Sequence, residues 1–88
     1  MATNSVRIDP GDNVAVAIRE IKSGETVTGV PGVEVRAAED ILRNHKVALV
    51  EIPESAPVIK YGEPIALSSR TIRAGEWVHT HNLKPLGS

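Results

Sequence analysis

The heptads "IKSGETV" (Ile21–Val27) and "IRAGEWV" (Ile72–Val78) decide how this 88-residue chain reads. Each opens on isoleucine, places glycine fourth and reaches valine six residues on. Two more stretches keep the frame, "ILRNHKV" (Ile41–Val47) and "IPESAPV" (Ile52–Val58), with Asn44 and Ser55 in fourth place. Glycine and asparagine tolerate positive φ and serine is at home in turns, so each heptad reads as a tight turn entering a strand. Ile21 to Ile41 is 20 residues, and Ile52 to Ile72 is 20 again. A shift of 31 therefore carries the first pair onto the second. It also carries Val16, Ala17, Ile18 and Glu20 to Val47, Ala48, Leu49 and Glu51. Between the heptads the register of residue types is lost. The pattern predicts an imperfect duplication, two similar halves related by a pseudo-two-fold around one core.

Working outward, "NVAVAIREI" (13–21) alternates Val14, Val16 and Ile18 against Ala15, Ala17 and Arg19, as a half-buried strand does. "VTGVPGVEVRA" (27–37) carries a turn at 30–33 between two short β stretches. "KVALVEI" and "PVIKYGEPIALS" read as strands, the second broken at Gly62, and "WVHTHNL" reads as a last strand. Only "AAEDIL" (37–42) has a helical look, enough for about one turn. The class is all-β, in short strands with many turns.

Composition agrees. Phenylalanine is absent and Trp77 and Tyr61 are the only aromatics, so the core is aliphatic. A single domain of this size hides a little over ~60% of its unfolded surface, and self-association would help it bury more; a homo-oligomer is expected. The net charge of −1, with both signs scattered, argues against nucleic-acid partners. No stretch approaches the ~20 apolar residues of a membrane span, and no signal peptide is apparent. Without cysteine there is no thiolate chemistry or disulfide framework. A cytoplasmic protein is the expectation. One domain over 1–88 follows, with a core over 6–83 and a tail or linker stub at 84–88. A complete catalytic cleft usually needs more chain than this, so any catalysis points to a partner chain.

The chemistry-bearing residues are few. His79 and His81 alternate, which in a strand puts both imidazoles on one face. Such a pair could supply two metal ligands where a catalytic metal usually needs a third, or could be the solvated end of a strand. His45 lies in a related heptad and could join them. His45 and Lys46 follow a turn, which suits a carboxylate-bearing ligand or plain surface. Lys60 and Tyr61 stand between apolar Val58-Ile59 and Gly62, as a rim lysine beside a core tyrosine or as an anion site. "DPGDN" (9–13) reads as a capped turn, with a Ca²⁺ loop the lesser reading. No nucleophile elbow, P-loop or dinucleotide fingerprint is present.

Taken in order, "DNVAVAI", "HKVAL", "VIKYGEPI" and "AGEWVHTHNL" resemble the SAF domain of the altronate and galactarate dehydratase family, over about Val6 to Leu83. The resemblance implies a β-clip fold. It implies either an N-terminal domain or a separate small subunit of a larger enzyme, which is not autonomous in catalysis. The reaction implied is loss of water from a sugar acid to give a 2-keto-3-deoxy acid, with a divalent metal, commonly iron, in the assembled enzyme. A related small subunit, of sulfolactate sulfo-lyase, eliminates sulfite instead. A third possibility is a non-catalytic binding or oligomerisation module. Carried onto this chain, His79 and His81 become catalytic or metal-binding residues. Lys60, Tyr61, His45 and Lys46 would face the sugar acid or the large chain. Two departures stand out: Asn44 where the family commonly has glycine, and "IPESAP" in place of a glycine-bearing turn.

Overall fold

The computed structural model of the protein describes residues 3–87. Seven short strands and one 3₁₀ turn make up its regular structure: β1 (Ser5–Val6), β2 (Val14–Ala17), β3 (Lys46–Ala48), β4 (Pro57–Lys60), β5 (Glu63–Ser68), β6 (Trp77–Val78), the 3₁₀ turn (Thr80–Asn82) and β7 (Leu83–Lys84). They form two antiparallel sheets, in the orders β1-β2-β3-β6 and β4-β5-β7. The all-β expectation holds.

The heptads do what their fourth residues imply. Gly24, Asn44, Ser55 and Gly75 all take positive φ, at 89°, 71°, 64° and 91°. The isoleucines that open the heptads meet in pairs, Ile21 against Ile41 and Ile52 against Ile72, each an antiparallel bridge. All four are at most 1% exposed. Backbone hydrogen bonds keep the shift of 31 even where residue types diverge. Gly24 N–H donates to Ala37 O, and Ser55 N–H to Ser68 O; Asn44 N–H donates to Ala17 O, and Gly75 N–H to Ala48 O. The β2–β3 register is its own image under the shift. The pair Val16–Lys46 becomes Val47–Ala15, which is also a pair. The residue match is lost between the heptads while the hydrogen-bond frame is kept.

Two aliphatic clusters lie on the two sides of the four-stranded sheet. Ala15, Ala17 and Val47 point into the one with Ile21 and Ile41, and Trp77 packs against its edge. Val14, Ala48 and Val78 point into the one with Ile52 and Ile72. This corrects the expected one-sided strand and the single core. Ala15 and Ala17 are buried as fully as Val14, because both faces of the sheet are covered, whereas Ile18 is 47% exposed, since the chain leaves the sheet after Ala17.

Other expectations also change. Residues 37–42 form no helix. The amides of Ala37, Ala38 and Ile41 donate to Glu25, Gly75 and Ile21, so long-range pairing displaces a helix too short to persist alone. "WVHTHNL" is not one strand: β6 ends at Val78, the 3₁₀ turn follows, and β7 joins the other sheet. Packing reaches close to both ends of the described residues. Asn4 is buried with its side chain bonded to the Thr26 carbonyl and the Thr28 amide, and Lys84 pairs with Leu67. No helix among the described residues is long and apolar enough to cross a membrane.

Candidate functional site

Residues 45–47 deliver the first component. The Asn44 turn is closed by His45 N–H donating to Leu42 O, and the Ala17 amide donates to His45 O. This places His45 at the mouth of β3, on the face that Val47 shares. In the neighbouring strand Trp77 pairs with Val47, so the indole projects from that same face. Its Nε1–H donates to His45 Nδ1 at 2.9 Å. The two ring centroids are 5.5 Å apart.

His79 and His81 complete the group. The His79 ring stacks on the indole at 5.1 Å with 12° between planes, and lies 5.0 Å from His45. The His81 ring meets the indole at 4.9 Å, tilted by 41°. All three histidines of the chain thus converge on its one tryptophan. Trp77, His45 and His79 are half-buried and His81 is exposed. The His45 ring is held through Nδ1, which accepts from the indole N–H.

Asn82 shapes this arrangement. It is fully buried, and its side chain accepts from His79 N–H at 3.0 Å and donates to Trp77 O at 2.8 Å. Those bonds curl the chain after Val78 into the 3₁₀ turn, with Asn82 N–H returning to His79 O. Glu39 holds the other side of Trp77 by accepting from its backbone amide at 3.1 Å.

The lysines lie apart from the rings. Lys46 pairs with Val78 and points to the face opposite Val47 and Trp77. Burial holds its ammonium below the usual lysine range, and the charge of Lys60 pushes the same way. Lys60 Nζ sits 4.9 Å from the centroid of the Tyr61 ring. Tyr61 is not a core residue: it is 62% exposed. Tyr61 and Gly62 form a two-residue hairpin turn with φ of 59° and 74°, positive at both places as a type I′ turn requires, so the expected break is a complete reversal. The "DPGDN" turn is its clamp. The buried Asp12 carboxylate accepts from the amides of Gly62 (2.8 Å), Tyr61 (3.1 Å) and Asp9 (3.0 Å). Burial pushes this carboxyl up, but those three bonds, with the nearby charge of Arg7, outweigh it and hold it below its ordinary value. The capped-turn reading is the one the geometry bears out.

A family model described as the altronate/galactarate dehydratase SAF domain matches residues 3–86. The chain belongs to that family. Altronate dehydratases of Bacillus subtilis and of Escherichia coli are each 42% identical to this SAF domain over 79 residues. The match covers 90% of this chain and 16% of each of theirs. The alpha subunit of (2R)-sulfolactate sulfo-lyase from Chromohalobacter salexigens is 32% identical over 90 residues, covering 96% of both chains.

Within the SAF domain, then, the rings of His45, His79 and His81 come together, while Lys46, Lys60 and Tyr61 do not join them. Adjacent His45 and Lys46 are divided by the strand's own alternation. Sequence reasoning missed Asn82 and Glu39 as site-shaping residues. Asn82 directly follows the His-x-His pair and sits in the closing motif, a signal that was present. Glu39 carried none, being 38 positions from Trp77. Among the described residues, no three or more His, Cys, Asp or Glu side chains are arranged to hold a metal ion. A catalytic metal usually takes three protein ligands, more than the described residues of this domain bring together by themselves.

Proposed function

We propose that this SAF domain is the non-autonomous part of a sugar-acid dehydratase, as a domain or small subunit beside a larger catalytic chain, and that the His45–Trp77–His79–His81 face lines a site the two share. The convergence of every histidine on one indole carries the reading. The altronate dehydratases it matches are much longer than this domain, which leaves room in them for a separate catalytic region.

The chemistry suits imidazoles. Dehydration takes the proton from the carbon beside the carboxylate and expels hydroxide from the next carbon. The hydroxide leaves as water after gaining a proton, and the resulting enol becomes the 2-keto-3-deoxy acid. Histidine accepts and returns protons near neutral pH. His79 and His81 are assigned to proton handling or to binding the acid's oxygens. Lys46, on the opposite face of the sheet, and Lys60 and Tyr61, at the β4–β5 hairpin, are assigned to the acid's carboxylate or to acidic surface of the larger chain. Any iron would be held chiefly by the larger chain, with His79 and His81 contributing at most their two imidazoles.

The test is reconstitution. Replacing both His79 and His81 with alanine, then mixing the domain with the larger chain, is expected to lower altronate or galactarate dehydration by about 10²-fold or more, the usual worth of a positioned acid or base. An unchanged rate together with unchanged metal content would overturn the proposal. A second reading, a sulfo-lyase small subunit, is favoured by the near full-length match to that alpha subunit. Sulfite release from sulfolactate in the same mixture would select it. Full activity in the double variant, coupled with a change in assembly size, would instead mark a non-catalytic oligomerisation module.

A further inference from the structure

The Nδ1 lone pair of His45 is already taken by the Trp77 indole N–H at 2.9 Å. Neutral imidazole has one donor nitrogen and one acceptor nitrogen. With Nδ1 accepting, the proton sits on Nε2, and that N–H meets no acceptor among the described residues. A metal needs a lone pair, and this ring has none left to offer. The stack sharpens the point, because the His79 ring at 5.0 Å and the indole at 5.5 Å confine His45 from two sides. Trp77 is itself pinned at both backbone polar groups, its amide by Glu39 and its carbonyl by Asn82.

We propose that Trp77 is a positioning residue that fixes His45 as the Nε2–H tautomer, so that His45 meets the ligand of this face as a hydrogen-bond donor to an oxygen and not as a ligand to a metal. The chemical class of partner is an oxygen acceptor, a carboxylate or hydroxyl of an acid. The inference rests on the proposed shared site for the ligand's identity. The tautomer and its consequence for metals stand on the Trp77–His45 geometry alone.

The test uses the full chain labelled with ¹⁵N in histidine and tryptophan. A through-hydrogen-bond coupling between Trp77 Nε1 and His45 Nδ1 is expected, with the imidazole proton on Nε2. Absence of the coupling with the proton on Nδ1 would overturn the proposal. Zn²⁺ is then added as the probe. His45 is expected to keep its coupling and nitrogen shifts, whether or not His79 and His81 respond. A Zn²⁺-induced shift of His45 Nδ1 with loss of the coupling would also overturn it. In Trp77→Phe, which keeps a ring but removes the donor, His45 is expected to become responsive to Zn²⁺; a His45 that stays inert there would show that Trp77 is not what excludes the metal. The wild-type measurements decide the tautomer even if this variant fails to fold. None of the readouts needs turnover. A normal signature with an inactive reconstitution therefore faults the functional reading, and the converse faults this one.

Discussion

Gly24 and Gly75 occupy the same place in their heptads and share nearly the same φ, yet they answer to different demands. A Cβ on Gly24 would meet nothing within 4 Å, while one on Gly75 would lie 2.1 Å from the Arg36 carbonyl oxygen. Gly24→Ala is thus expected to cost only the left-handed backbone, about 1–2 kcal/mol. Gly75→Ala must also force two backbones apart, and its urea midpoint should fall well below that of Gly24→Ala. The reverse change is informative at Ser55, a side chain held at φ 64°. Ser55→Gly is expected to stabilise by about 0.5–1 kcal/mol, because relief of the left-handed penalty exceeds glycine's entropic cost. Chemical denaturation of the three variants checks the order. The need for positive φ was legible in the fourth position of each heptad. The crowding at Gly75 was not, because it depends on a carbonyl 39 residues away.

At the scale of elements, the β4–β5 hairpin is held from outside itself. Asp12 ties down both turn residues, and Asn13 spans the β4 edge, donating to Pro57 O and accepting from Ile59 N–H. Asp12→Ala removes a buried, charged acceptor with three amide partners, and a loss of about 2–3 kcal/mol is expected. The sign with pH follows from the lowered carboxyl. Its contribution is complete above the ordinary value of 3.8 and is lost as pH falls through the lower folded value. Thermal melts of the wild type should therefore decline below about pH 4 more steeply than those of Asp12→Ala. The break at Gly62 could be read from the sequence, but the matching twist at Tyr61 could not, since Asp12 lies 49 residues away. His-x-His misled in a similar way. Alternation promised a strand, and the buried Asn82 side chain turned the chain instead. The rings still gathered, around Trp77 and not along a strand face.

For the whole molecule, the shared sheet makes two clusters behave as one unit. β2 and β3 send alternate side chains to each side, so loosening either cluster loosens the wall of the other. Ile21→Ala and Ile72→Ala, at equivalent places in the two halves, are each expected to cost about 2–5 kcal/mol. Each should shift a single transition that coincides by circular dichroism and by methyl NMR signals from both clusters. Separate transitions would show the clusters to be independent. The repeat itself was legible because the heptads cannot lose their turns; the second cluster was not, because alanines at 15, 17 and 48 look too small to mark a covered face. The halves are nonetheless unequal. Every fully buried member of the Ile21–Ile41 cluster comes from residues before 50, whereas the Ile52–Ile72 cluster borrows Val14 and Ala48 from the first half. Synthesis runs the same way along the chain. A ribosome would release every fully buried member of the Ile21–Ile41 cluster before the second half, which would then emerge beside the two strands it shares.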